Sequence, residues 1–232
     1  MRASPRNDRM LNYDWNFAVF ASYWPALLRG AWVSIELTLI SSIGGTALGI
    51  IFAFPLRLPI VGPVIGVVND AMRAVPLIVL LFLFYYFPVG QVFGLPPLSA
   101  FWAAAVAMMV AQANFTAEIV RTAIDAVPHR ILDSARSLGL KERPILLWVI
   151  APHVTRQALP TLIAFYIGNL KLSSLASVIG TAELVYVARI AVGQTYRSLE
   201  AWILIAVVYV VLVTPCTLFA RRIERSEWMA RR

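Results

Sequence analysis

The chain has 232 residues, of which 60% are hydrophobic and only 14% are charged. Soluble globular chains carry about 25% charged residues, and a bilayer span needs about 20 consecutive apolar residues, so several runs here exclude an ordinary soluble domain. The net charge of +8 does not indicate nucleic acid, because most arginines stand beside apolar runs, as positive cytoplasmic flanks do.

The N-terminal region mixes charged and aromatic side chains and has no uninterrupted apolar core, which a cleaved signal peptide would require. Aromatic residues suit the headgroup level of a membrane, so we predict that residues 1–30 lie at or outside the outer surface. A first span is predicted over about 31–54. Within it Gly45 and Gly49 form a small-xxx-small pair, which predicts close packing against another helix.

The second predicted span, about 63–87, contains ionisable residues in its first half. Asp70 and Arg73 stand three residues apart and can pair on one helical face. They indicate either an ion pair near the cytoplasmic surface or a polar patch facing a pathway. Pro76 removes one intrahelical hydrogen bond and is expected to kink this helix.

Three further spans complete the predicted membrane domain of residues 31–220. They cover about 98–120, 159–180 and 201–220. The third becomes polar at Gln112 and Glu118, and the fourth contains Lys171. A charged insert, residues 121–157, separates these two spans.

Basic residues decide the predicted orientation. The insert carries six Lys or Arg and the tail, residues 221–232, carries five, so both are predicted to be cytoplasmic. The N-terminus is then outside, although four arginines precede the first span. The uncharged turn 88–99 and the charge-neutral connection 181–200 also fall outside.

Catalytic signatures are missing from the sequence. It contains no phosphate-binding loop, no HExxH, no GxSxG and no paired clusters of metal ligands. We therefore predict no catalytic, cofactor-binding or metal site in this chain, and no enzymatic activity.

The insert contains a short predicted helix. Pro128 suits a first turn, and Gly139 can adopt the positive φ that ends a helix. Ile131, Leu132, Ala135 and Leu138 recur at spacings of three and four and form one apolar stripe. A helix of about two turns is unstable alone, so it rests either on the lipid surface or on a cytoplasmic partner.

Several motifs give a family resemblance. The segments D-S-A-x-x-L-G-L at 133–140, V-I-A-P at 149–152 and R-x-x-L-P at 156–160 resemble the "EAA" loop of importer permeases of the ATP-binding-cassette class. Four further segments resemble permeases for polar amino acids, of the histidine/glutamine type. They are R-A-V-P-L at 73–77, A-E-I-V-R at 117–121, K-L-S-S-L-A-S-V-I at 171–179 and E-L at 183–184. The matches cover roughly residues 30–225.

The resemblance implies an all-α membrane protein with a type I importer-like permease fold. About five transmembrane helices are expected, with a cytoplasmic coupling helix between the third and fourth. That helix would dock on a separate ATPase subunit, which would hold ATP and Mg. The residues implied in docking are Ile131, Leu132, Asp133, Ser134, Ala135, Leu138, Gly139 and Pro152.

The implied function is a permease subunit for uptake of polar amino acids or related small solutes. Partners would be the ATPase, a second permease subunit (self or sibling), a solute-binding protein outside the membrane and the lipid bilayer. Arg73, Glu118, Lys171 and Ser174 are candidates for the pathway. Lys171 could attract a substrate carboxylate or could pair with Glu118.

The loop also departs from the family pattern. Arg130 and Ile131 replace Gly-Gln, Asp133 replaces Glu and Ala151 replaces Leu, which indicates a divergent ATPase partner. A structural or receptor-type polytopic membrane protein without transport activity is the alternative function.

Overall fold

The computed structural model describes residues 13–94 and 96–224, apart from the side chains at positions 57 and 90. Its described helices follow one another with short connections. In chain order they are α1 (Trp24–Ala53), α2 (Gly62–Ala74), α3 (Leu77–Tyr86), α4 (Val89–Phe93), α5 (Ala100–Asp125), α6 (His129–Ser137), α7 (Glu142–Pro144), α8 (Ala151–Leu172), α9 (Leu184–Thr195) and α10 (Ser198–Glu224).

Four stretches are long and apolar enough to cross a membrane, and a fifth span is formed if α2 and α3 are counted together. The prediction of an all-α protein with about five spans is therefore confirmed. Several helices outrun the predicted spans. The first begins at Trp24, the third continues to Asp125 and the last reaches Glu224.

The second span is broken rather than gently kinked. The axes of α2 and α3 differ by 98°. Val75 has extended backbone angles (φ −73°, ψ 122°), and Pro76 follows with ψ 141°. A residue before proline is driven out of the helical region, and proline has no N–H to donate, which accounts for a break at this point.

Helices α1 and α5 form the centre of the bundle, and glycines allow their close contact. A Cβ on Gly45 would lie 2.5 Å from Gln112 Cβ, and a Cβ on Gly49 would lie 2.5 Å from Thr116 Cβ. The predicted packing at this glycine pair is confirmed, because only glycine fits such an approach. The alanine-rich first half of α5 is buried in the same core.

The charged insert is mostly helical. Helix α6 ends before Gly139, whose φ of 76° confirms the predicted helix stop. A π-helical turn, Ile145–Ile150, then leads directly into α8. A continuous helical stretch from Glu142 to Ile179 results, so the fourth span begins well before the predicted residue 159. We call the end of the bundle that carries α6 the insert end.

The opposite end of the bundle is tied together by buried carboxylates. Glu200 is fully buried, accepts a hydrogen bond of 2.5 Å from the Tyr13 hydroxyl and pairs with Arg197 at 3.0 Å. Glu183 caps α9 by accepting from the backbone N–H groups of Val185 and Tyr186. The contacts of Glu200 join the chain before α1 to the start of α10.

Candidate functional site

Helix α6 presents apolar side chains to the outside of the bundle. Ala135 is buried, but Leu138 is 80% exposed and Ile131 is 46% exposed. The helix packs against the π-helical turn that follows it. The stripe predicted from the sequence therefore rests on the protein at Ala135 and, half-buried, at Leu132, whereas Ile131 and Leu138 are available to another surface.

Charged and polar groups surround this exposed stripe. Arg136 pairs with Asp133 at 3.8 Å and with Glu142 at 3.2 Å, which links α6 to α7. The hydroxyls of Ser134 and Ser137 donate to carbonyls of their own helix. Pro152, the eighth residue of the predicted docking set, lies exposed in the first turn of α8.

Two predicted pathway residues meet near the insert end. Arg73, in the last turn of α2, and Glu118 on α5 line one cavity of about 410 Å³. Phe115 and Phe165 contribute aromatic walls, and their ring centroids are 4.9 Å apart. Other lining residues include Gln157 and Thr161 of α8.

Arg73 interacts with a carboxylate and an aromatic ring beside this cavity. Its guanidinium lies 3.2 Å from the Asp70 carboxylate, which confirms the predicted pair, and 5.4 Å from the centroid of the Phe115 ring. Its Nε is buried and has no hydrogen-bond partner among the described residues. The guanidinium can donate one more hydrogen bond to an anionic or carbonyl oxygen, because it carries five N–H donors.

Glu118 is paired within its own helix. Two guanidinium nitrogens of Arg121 lie 2.6 Å and 3.1 Å from its carboxylate oxygens. The pairing with Lys171, one of the two alternatives for that residue, does not form: Lys171 lies in a separate cavity along α10, and Glu118 pairs with Arg121, three residues further along α5. Such i,i+3 neighbours share a helix face.

Lys171 lies elsewhere, in the half of its span away from the insert end. It is exposed in a second cavity of about 410 Å³ along α10, together with Tyr209, Thr214 and Arg221. No described carboxylate forms an ion pair with it. An unpaired cation inside a span is costly and normally faces water or a ligand.

Ser174, the fourth candidate, follows Lys171 in the 3₁₀ turn Ser173–Ile179. Its hydroxyl donates to the Lys171 carbonyl at 2.7 Å. The hydrogen bond holds the side chain next to the end of α8, three residues after Lys171 rather than at the Arg73 cavity.

Sequence reasoning missed a polar network in the middle of the bundle. The Asn169 amide donates to Gln112 Oε1 at 2.9 Å and to Ser42 Oγ at 3.3 Å, and Gln112 donates to Thr116. It connects α1, α5 and α8, and every member is buried. Asn169 and Gln112 lie in two different spans, and nothing in their sequence spacing predicts that they are in contact.

A second missed feature is Glu183, at the opposite end. Its carboxyl is fully buried, and Ser34 Oγ lies 3.5 Å from it. Burial raises the pKa of Glu183 to about 7. Among the residues that the structure describes, no group of three or more His, Cys, Asp or Glu is placed to hold a metal ion.

The chain was compared with known families and proteins. Residues 18–228 match the family described as the inner membrane component of binding-protein-dependent transport systems. The glutamine transport system permease protein GlnP of Escherichia coli (strain K12) is 29% identical over 220 residues, covering 93% of this chain and 98% of the relative. The L-cystine transport system permease protein TcyB of Bacillus subtilis (strain 168) is 33% identical over 209 residues, covering 88% and 87%.

Solved structures share the same architecture. An amino acid ABC transporter crystallised with histidines superposes with a TM-score of 0.82 at 31% identity, covering 92% of this chain and 99% of that one. The methionine transporter MetNI superposes with a TM-score of 0.75 at 20% identity, covering 88% and 97%, and supports the fold alone. The chain therefore belongs to the family of inner membrane components of binding-protein-dependent transport systems, and it is a permease subunit with the type I importer fold.

Proposed function

We propose that this permease takes up polar amino acids or closely related solutes, driven by ATP hydrolysis on a separate ATPase subunit. A solute-binding protein would deliver the solute at the opposite end, and the insert end would lie in the cytoplasm together with the C-terminus. The N-terminus would then lie outside. ATP and Mg would be held by the ATPase.

The choice of solute rests on one observation: two cationic side chains within the spans each line a separate cavity. Lys171 has no described ion-pair partner, and Arg73 keeps one unused buried donor. A solute carboxylate can interact with either group, and Glu118 beside Arg73 can attract an ammonium group. The arrangement suits a zwitterion that moves from Lys171 and Ser174 toward Arg73 and Glu118.

A second permease subunit, a copy of this chain or a sibling, would complete the pathway. Both cavities open at the surface of the bundle, and five spans are too few to enclose a channel by themselves. Importers with two-fold symmetry use the same surface of both subunits, which would place the two sets of cavities face to face.

Coupling is proposed to use the exposed part of α6. Leu138, with 80% of its surface exposed, and Ile131 provide an apolar contact, and Asp133, Ser134 and Leu132 lie on the same short helix. Apolar side chains exposed together on a helix indicate an interaction surface. Gly139 follows the end of α6 and Pro152 lies exposed in the first turn of α8, so both would shape this surface.

The test is purification of the tagged permease from its native membranes. We expect a phosphate-loop ATPase to co-purify with the unmodified chain and to be lost from Leu138→Asp. The control is Tyr196→Asp, which changes an equally exposed side chain at the opposite end of the bundle and should keep the ATPase. Co-purification unaffected by Leu138→Asp would contradict docking through α6.

A further inference from the structure

Helix α2 faces α5 with a set of complementary charges. Asp70 and Arg73 pair within α2, and Glu118 and Arg121 pair within α5. Arg73 and Glu118 line one cavity, whereas Asp70, Glu118 and Arg121 line a neighbouring one of about 400 Å³. Each cavity is thus lined by opposite charges from the two helices, Arg73 with Glu118 and Asp70 with Arg121.

Arg73 makes one more contact between the two helices. Its guanidinium lies over the Phe115 ring of α5, at 5.4 Å from the ring centroid. Phe115 and Glu118 are three residues apart and share one face of α5. The charges and this cation–π contact therefore hold Arg73 on the same face of α5.

Little else holds α2 in place. Its buried residues are Gly62 and Asn69 only, and it packs mainly against α5 and the preceding turn. The Asn69 amide nitrogen is buried without a hydrogen-bond partner in the described part of the chain, as is Arg73 Nε. Buried donors without partners are destabilising, so these contacts do not favour the observed position strongly.

The break at Val75 and Pro76 allows α2 to move as a unit. It leaves α2 bent by 98° from α3, with no continuous helix to hold the two together. Movement about this break would carry Arg73 away from Phe115 and Glu118, and therefore would change the cavity between α2, α5 and α8. Hinges commonly consist of a few residues at the ends of helices.

We propose that Asp70, Arg73, Glu118 and Arg121 form an ionic latch that holds α2 against α5 and that its release lets α2 swing about Val75–Pro76. The role of this movement in transport rests on the proposed function, since it would widen the cavity beside Arg73 at the insert end. A solute carboxylate that binds Arg73 would compete with Asp70 and Glu118. Solute binding and latch release would thereby be linked.

The test inverts charges one helix at a time. Asp70→Arg with Arg73→Asp inverts α2, and Glu118→Arg with Arg121→Glu inverts α5. The α2 variant keeps the attraction within its own helix and makes both attractions between helices repulsive. The α5 variant does the same between helices but also breaks the Arg121–Asp125 pair (3.6 Å) within α5, so the α2 variant carries the test. The fourfold variant inverts both helices and makes the contacts between them attractive again, so it is the matched control.

Amide hydrogen exchange of residues 62–74 is measured for the permease in lipid nanodiscs. We expect exchange in either double variant to accelerate about tenfold, because two attractions between the helices become repulsions. The fourfold variant should return to within about twofold of the unmodified rate. Unchanged exchange in both double variants, or acceleration that the fourfold variant retains, would overturn the latch.

Two single substitutions provide the same test if the charge-inverted variants express poorly. Asp70→Asn removes the attraction to Arg121 between the helices together with the pair with Arg73. Arg121→Gln removes the same attraction together with the pairs with Glu118 and Asp125. Each variant should accelerate exchange in α2 but leave α10 unchanged. Exchange rates in α2 that equal those of the unmodified chain would overturn the proposal. Exchange reports the latch without requiring solute, so failure of uptake in the fourfold variant, which lacks Arg73, bears only on the proposed pathway.

Discussion

The Asn169 side-chain amide donates a hydrogen bond of 2.9 Å to the Gln112 side-chain carbonyl in the middle of the bundle. The contact joins the fourth span to the third, and Ser42 extends it to the first. In a bilayer no water replaces a lost partner, so these amides specify how three helices fit together.

Replacement of Asn169 by leucine should destabilise the purified permease by about 1 kcal/mol, since Gln112 loses a buried donor. Asn114→Leu is the control, because the Asn114 amide donates only to a carbonyl of its own helix. Thermal unfolding in detergent compares the two variants. Equal losses would show that the contact between spans contributes nothing of its own.

Substitution of the glycines between α1 and α5 should be poorly tolerated. Gly45→Ala and Gly49→Ala each place a Cβ 2.5 Å from a Cβ of α5, which forces the helices apart at a cost of about 1–3 kcal/mol. Gly168→Ala is the matched control, since its Cβ would meet nothing within 4 Å. The unfolding temperatures should fall for the first two variants only, and a comparable fall for Gly168→Ala would contradict this explanation.

Glu183 should make stability dependent on pH. Burial raises its pKa to about 7 from 4.5, so the neutral carboxyl favours the folded state below pH 4.5 and that advantage is lost as pH rises through 7. Relative to Glu183→Gln, which stays neutral, the unmodified protein should lose up to about 3 kcal/mol over that window. Unfolding measured from pH 5 to pH 8.5 tests this, and a difference that stays constant with pH would refute it.

Uptake should depend on both cations proposed for the pathway. Arg73→Gln and Lys171→Ala are each expected to reduce uptake of radiolabelled amino acids at least tenfold, because one charged hydrogen bond contributes about 1.5–3 kcal/mol. The assay uses proteoliposomes that contain the permease, its co-purified ATPase and its binding protein. Arg189→Ala removes an exposed cation at the opposite end and serves as the control. Normal uptake by Lys171→Ala would remove Lys171 from the pathway.

Much of the fold is predictable from local signals. Runs of apolar residues predict the spans, Pro128 and Gly139 bracket α6, and the glycine pair predicts the contact of α1. Each signal acts within about one turn of the residue that carries it. The 98° break at Pro76 is larger than a proline kink, because Val75 also leaves the helical region.

Contacts between distant parts of the chain are not predictable in this way. The partner of Glu118 depends on which of two cations is nearer, and Arg121 on the same helix is nearer than Lys171 on another. The network at Asn169 and the burial of Glu183 also depend on how helices far apart in sequence pack. For the same reason the four candidate pathway residues divide between two cavities, although all four lie in motifs that resemble those of one permease family.

The continuous helical stretch from Glu142 to Ile179 connects the charged insert directly to the fourth span. Its 38 residues would extend about 57 Å if fully α-helical, so a tilt of about 10° at one end displaces the other by about 10 Å. Helix α6 rests on the π-helical turn near one end, and Lys171 lies toward the other. A displacement of α6 that tilts this stretch would therefore also displace the part of the fourth span that carries Lys171.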